Sequence, residues 1–552
     1  MSAGAPGGTR YNSQAFGGVR MKRVAGAMVM AGFIAGAAHA QALSPYASAG
    51  EQQAAMTDGR VTSEQLVRAY LERIARYDSA GPKLNAVLVL NRQALADARK
   101  LDAERKAGKV RGPLHGVTIL LKDNIEHAAS GATTAGSLAL ADNVSGRDAP
   151  IVKRLAEAGA VVLGKTNLSE WANFRSLRSI SGWSGMGGLV RNPYSLDRTA
   201  CGSSSGSGAA IAAGFAGLAI GTETDGSVTC PAAMNGIVGL KPTVGLVSRS
   251  LIVPISPEQD TAGPMTRTVA DTAALLSVIA GSDPTDPATR DADAKKADYL
   301  KALDRDALKG ARIGVWFPWK GRSPQTDLVF AEAVKTLIAQ GAVTVELKGP
   351  DDATMSKIAE LESDTLRTEF KAALDAYLAT TPATVRSRTL ADLIAFNKAN
   401  AGREMPLFAQ EIFDISVTKP PITDPAYREK RAKATKLARE ALDRMLADND
   451  LVAVVSPSGG PPAIVDPVNG GGGFFGSPSR LPAVSGYPHL TVPAGYATGL
   501  PIGISFLGPA WSEAKLLGLG YAFEQAAKAR REPEFLPNVG ARPEIARAYD
   551  PQ

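Results

Sequence analysis

The chain has 552 residues, 45% hydrophobic and 21% charged, a globular composition with ample material for a core. Its formal net charge is +7, but Arg10, Arg20, Lys22 and Arg23 supply four of those charges ahead of residue 41 with no acid beside them, leaving +3 for the remainder. A balance this mild argues against a nucleic-acid-binding class, which needs clustered Lys and Arg.

The N-terminus has the layout of an export signal. Met21-Lys22-Arg23 is basic, Val24 to Ala37 is apolar, and Ala38-His39-Ala40 fits a small-x-small cleavage site before Gln41. Residues 1–20 read as an upstream extension, with Met21 as an alternative start. The apolar run falls short of the ~20 residues of a spanning helix, so residues 1–40 are expected to be cleaved. That implies a periplasmic or secreted protein without stable membrane association.

Residues 41–60 read as an irregular leader, followed by a single catalytic domain over 61–552. Thr62 with Gln65 three positions on is a capping-box pattern, and Leu66, Tyr70 and Ile74 give the helix that follows one apolar face. Arg92 to Lys106 predicts a charged surface helix. Val117 to Leu121 predicts a buried strand ending in Lys122-Asp123-Asn124, and Pro150 to Ala158 a helix closed by Gly159. Val161-Val162-Leu163 predicts another buried strand. Strand, helix and strand alternate again at Arg312 to Trp316, Asp327 to Gln340 and Val343 to Leu347. Such alternation points to an α/β class with a largely parallel sheet. Asp352 to Leu378 and Thr389 to Asn400 predict a helical insertion or lid around 352–410. Pro425 to Asp448 predicts a long charged helix, and Leu451 to Val455 a strand. A flexible glycine loop is expected at 470–473, closing strands at Leu490 to Pro493 and Ile502 to Phe506, and a final helix over Ser512 to Lys528.

The chemistry is concentrated between Ala200 and Thr243, where two Gly- and Ser-rich clusters flank a run of small apolar residues. Glycine permits positive φ and close approach of a ligand. A serine becomes a nucleophile when a base removes its proton. Four histidines exist, His39, His115, His127 and His489, too few and too scattered for a histidine-built metal site. Gly202-Ser203-Ser204-Ser205-Gly206 matches G-x-S-x-G with Ser204 in the centre, and His489 follows late in the chain, as in α/β-hydrolases. No hydrophobic strand precedes it, however, and the match is cheap in so Gly- and Ser-rich a run. Lys122, at the end of an apolar strand, is the alternative base, because desolvation lowers a lysine pKa. Taken alone, Lys122 is better read as pairing with Asp123 or capping a sheet edge. Cys201 and Cys230 allow one bridge in an oxidising compartment, but two small buried thiols are the favoured reading.

Several motifs in order resemble the amidase signature family. They are the Gly-Ser-Ser cluster from Gly202, Gly221-Thr222-Glu223-Thr224-Asp225-Gly226-Ser227, Pro231-Ala232-Ala233 and Gly239-Leu240-Lys241-Pro242-Thr243. Leu121-Lys122-Asp123-Asn124, Gly164-Lys165-Thr166-Asn167 with Glu170, Asn192-Pro193-Tyr194, Pro264-Met265-Thr266-Arg267 and Gly499-Leu500-Pro501-Ile502-Gly503 extend it over most of the chain. The resemblance implies an α/β fold with a mixed central sheet between layers of helices. It also implies a Ser-cisSer-Lys triad: Ser227 as acylated nucleophile, Ser203 after a cis peptide bond, Lys122 as base. The backbone amides of Thr224, Asp225, Gly226 and Ser227 would form the oxyanion hole. No metal and no cofactor are implied.

Asp225 stands where many members have glycine, and Val228-Thr229-Cys230-Pro231 replaces a segment that usually carries arginine. This version resembles peptide amidases, which remove the C-terminal amide of peptides. The expectation is hydrolysis of a carboxamide to carboxylate and ammonia, on a peptide or related small amide, by a monomer or homodimer without nucleic-acid partners. Aryl or fatty-acyl amide hydrolysis, or esterase activity, is the alternative within the family. Less favoured are an A-type subunit of a tRNA-dependent amidotransferase, an α/β-hydrolase using Ser204 and His489, and a non-catalytic binding protein.

Overall fold

The structure, a computed structural model, describes residues 43–470 and 476–549. The expected export signal at 1–40 and residues 471–473 of the glycine loop lie outside the described residues. Apolar strand sequences build one eleven-stranded sheet. In chain order its strands are β1 (Val87–Leu90), β2 (Thr118–Lys122), β3 (Val161–Thr166), β4 (Leu218–Glu223), β5 (Val238–Lys241) and β6 (Thr261–Thr266). Then come β7 (Arg312–Trp316), β8 (Val343–Leu347), β9 (Ala453–Pro457), β10 (His489–Ala497) and β11 (Leu500–Leu507). Across the sheet they run β1-β3-β2-β4-β6-β5-β10-β11-β9-β7-β8.

The sheet is mixed, as the family resemblance implied, and not largely parallel as the alternation suggested. β2 is parallel to β3 and β4, and β7 is parallel to β8 and β9. The other six pairings are antiparallel. Parallel strands need a long crossover, usually a helix, and that pattern occurs only in the two flanking blocks. The middle strands turn back on themselves. β10 and β11 had read as closing strands but lie mid-sheet, joined by Thr498 (φ 49°) and Gly499 (φ 76°). Two successive positive φ angles make the turn that matches strand twist in a two-residue hairpin.

The helix Ser63–Tyr77 starts at the Thr62–Gln65 capping box and buries Leu66, Tyr70 and Ile74, as read from the sequence. The expected irregular leader is corrected, because Ala49–Thr57 is a helix. Its start is a second capping box, Ser48 with Glu51, each side chain holding the other's backbone amide. The two charged helices fall where expected, at Ala94–Lys106 and Pro425–Ala447, and the expected helical insertion holds helices at Asp352–Ala379 and Leu390–Ala399. The main core surrounds β2, β4 and the helix Ser205–Ala212. A second buried cluster joins Phe370, Leu374 and Tyr377 of the long helix to Trp171, Val253 and Ile255. Among the described residues no helix is long and apolar enough to cross a membrane.

Candidate active site

Parallel pairing brings the carboxyl ends of β2 and β4 side by side, and this places Lys122 against Thr222. Lys122 is fully buried. Its Nζ donates to Ser203 Oγ (2.7 Å), Thr222 Oγ1 (2.7 Å) and the Thr222 carbonyl (3.2 Å). Asn124 Nδ2 donates to the same Thr222 Oγ1 at 2.9 Å. Burial pulls the Lys122 amine down to about 7, with the charges of Asp260 and Glu223 opposing it in part. A lysine at that value is part neutral near neutral pH and is therefore a competent base. The alternative pairing with Asp123 does not form; Asp123 faces the buried Lys165 ammonium instead, at 3.2 Å.

The peptide bond Gly202–Ser203 is cis. Gly202 is required by space, because a Cβ there would stand 2.1 Å from Ser169 Oγ. The Ser203 carbonyl accepts from Ser169 N (3.0 Å), and Ser204 N donates to the Ser227 carbonyl (3.1 Å). These two bonds bring both serine clusters against the end of β2. No hydrogen bond joins Ser227 Oγ to Ser203 Oγ among the described residues. Catalytic hydrogen bonds are often looser without substrate.

The segment after β4 presents unused donors. Among the described residues, the amides of Asp225, Gly226 and Ser227 donate to no protein group. Their directions are fixed from behind. Gln259 Nε2 holds the Thr224 carbonyl (3.3 Å), and Cys230 N holds the Gly226 carbonyl (2.8 Å). In a trans peptide the N–H points opposite to the carbonyl, so these bonds turn the Asp225 and Ser227 amides the other way. Gly226 takes φ 78°, in the left-handed region that glycine enters freely. Glu223 then anchors the far side, accepting from Val228 N (2.7 Å) and Thr229 N (2.9 Å). Sequence reading gave Glu223 no role although it lay inside the quoted motif, and Gln259 carried no sequence signal at all. A cleft of about 500 Å³ opens on this segment, bordered by Gly202, Asp225 and Gly226. A second cavity of about 890 Å³ reaches Asn124, Thr222 and Thr224.

The favoured reading of two thiols is corrected, because Cys201 and Cys230 form a disulfide. The Ser204–Ser227 register carries the two cysteines together, with Cα atoms 6.0 Å apart. The bridge closes a loop with a sequence separation of 29, for which loop-closure entropy predicts stabilisation of about 3–4 kcal/mol. Cys201→Ser with Cys230→Ser is expected to lose about that much in chemical denaturation, and added reductant should then have no further effect on the variant.

The α/β-hydrolase reading fails on geometry. Ser204 is fully buried, with its Oγ engaged to both the amide and the carbonyl of Thr222 at 3.1 Å. His489 is buried on β10, bonded through Nε2 to Ser505 Oγ (2.6 Å), and burial next to Lys241 pushes it down to about 3. It is a neutral structural group. His489→Ala should cost about 1–3 kcal/mol of stability by leaving Ser505 short of a partner. Ammonia release per folded molecule should stay within about tenfold of wild type, as it would not for a base.

The family model described as Amidase matches residues 65–517. A probable amidase of Arabidopsis thaliana is 40% identical over 87% of this chain and 90% of its own. The A-type subunit of the glutamyl-tRNA(Gln) amidotransferase of Moorella thermoacetica is 34% identical over 89% of this chain and 99% of its own. The crystal structure of native peptide amidase from Stenotrophomonas maltophilia is 49% identical, with a TM-score of 0.83 over 89% of this chain and 99% of that one. A match of this extent to fold and family together makes the chain a member of the amidase signature family, an enzyme that hydrolyses amide bonds.

Proposed function

We propose that the enzyme removes ammonia from C-terminal carboxamides of peptides through an acyl-enzyme on Ser227. The observation that carries this reading is the 2.7 Å hydrogen bond from the fully buried Lys122 to Ser203, beside the Ser227 segment. Neutral Lys122 takes the Ser203 proton while Ser203 takes that of Ser227, and Ser227 Oγ bonds to the carboxamide carbon. The amides of Asp225, Gly226 and Ser227, with that of Thr224 beside them, receive the oxyanion. Preorganised donors of this kind are worth about 3 kcal/mol each. The proton returns through Ser203 to the nitrogen, the C–N bond breaks and ammonia leaves. Water then repeats the relay, cleaves the Ser227 ester and releases the carboxylate.

Two observations favour a peptide amide over the other family substrates. The Stenotrophomonas peptide amidase is nearer in sequence than the Moorella protein, 49% against 34%. The cleft is also bordered by charged and hydroxyl side chains, Asp225, Ser477, Ser479 and Arg480, suited to a polar acyl group. An exported location, supported by the basic and apolar N-terminus, belongs to the same proposal. The test is ammonia or amine release from peptide amides, aryl amides and long-chain fatty amides. The highest kcat/KM is expected on peptide amides. A preference for aryl or fatty amides overturns the substrate class.

A further inference from the structure

The cleft beside the oxyanion segment holds two opposite charges, and each is only half used. Asp225 Oδ1 accepts from Ser479 Oγ, while its second oxygen accepts from no described residue. Arg480 Nε donates to Glu362 Oε2 at 2.9 Å, and its two Nη groups donate to no described residue. The Arg480 side chain is 41% exposed, on the cleft. Glu362 is buried and is itself held by Gln259 Nε2 at 3.0 Å, so the guanidinium is aimed by a fixed partner.

If the carboxamide oxygen lies on the amides of Asp225 to Ser227, the acyl residue's α-nitrogen is two bonds from the reacting carbon. Asp225 and Arg480 both border the cleft on which these amides open, where that acyl residue would lie. We infer that Asp225 and Arg480 read the acyl side of the substrate. The Asp225 carboxylate accepts the N–H of the residue bearing the carboxamide, and Arg480 donates to the carbonyl before it. This rests on the amidase reading above.

An acyl group without that N–H and carbonyl strips water from both charges and returns no hydrogen bond. Sites built to bond a polar group reject analogues lacking it far more strongly than apolar pockets reject a missing methylene. Ile180, Met234 and Val465 line the same cleft and offer an apolar wall to the side chain.

The test compares four amides on the wild-type enzyme: N-acetyl-L-leucinamide, its analogue methylated on the α-nitrogen, unacylated leucinamide, and 4-methylpentanamide. The expected result is that kcat/KM falls about tenfold or more on N-methylation, mostly through KM. Asp225→Ala should shrink that ratio toward one. Arg480→Gln should erase the preference for the acetylated over the unacylated amide. Equal turnover of the parent and N-methyl substrates by wild type overturns the inference without needing any variant. So does an unchanged ratio in folded Asp225→Ala. If none of the four amides, 4-methylpentanamide included, releases ammonia, the amidase reading itself has failed.

Discussion

Ser227→Ala abolishes ammonia release from peptide amides, lowering kcat by about 10⁴-fold or more, while the thermal unfolding curve stays that of wild type. The size follows from the absence of a substitute. Ser204 is sealed against Thr222, and the Ser203 hydroxyl is committed to Lys122. Residual rate would come only from binding and from the oxyanion donors. The unchanged fold follows from how Ser227 is held. Its carbonyl accepts from Ser204 N, a bond that alanine keeps, and its hydroxyl makes no hydrogen bond among the described residues. Circular dichroism and a continuous ammonia assay on the purified variant check both halves. A folded Ser227→Ala enzyme with near-normal turnover contradicts the assignment.

The second large effect is a pH dependence with a definite sign. The proposed relay needs Lys122 uncharged, and burial brings its amine to about 7. Activity is therefore lost as pH falls through that value and present above it. On the acid side kcat/KM should drop about tenfold for each pH unit, the slope of a single essential proton. Lys122→Met, of similar length without the amine, should remove activity at every pH and leave no such limb. A rate that plateaus already at pH 5, or a Lys122→Met variant with substantial turnover, contradicts the base. Four histidines exist in the chain, and His489, the one the hydrolase reading needed, is held near 3.

Legibility in the sequence differed by kind of signal. Ser203, Ser227 and Lys122 were proposed through motifs, and the structure brings Lys122 and Ser203 into direct contact across 81 positions. Residue-level physics alone did not reach this. It favoured Lys122 pairing with Asp123 or capping a sheet edge, because neighbours in sequence are easy to pair and strand registry is invisible. The parallel β2–β4 pairing decides that Thr222 and Ser203 receive the amine instead. Helix starts with capping chemistry were readable, and the missed helix at Ala49 carried, in Ser48 and Glu51, the same kind of capping box that was recognised one helix later in Thr62 and Gln65. The middle of the sheet was misread because alternation in two blocks was extended to strands that pair antiparallel, only β10 and β11 of them through a tight turn. The disulfide was missed because 29 residues of separation say nothing of distance until the Ser204–Ser227 bond is known. Gln259 had no motif. Its role depends on reaching the Thr224 carbonyl, a purely tertiary fact.

The claim that Ser227 carries the acyl group is tested most directly by mass spectrometry of enzyme quenched in acid during turnover of an acylated amino-acid ester, an activated analogue of the amide. The predicted result is a mass increase equal to the acyl group, located on the peptide containing Ser227, and absent from Ser227→Ala. An acyl group on Ser203 or Ser204, or ammonia release with no acylated serine at any quench time, would contradict it.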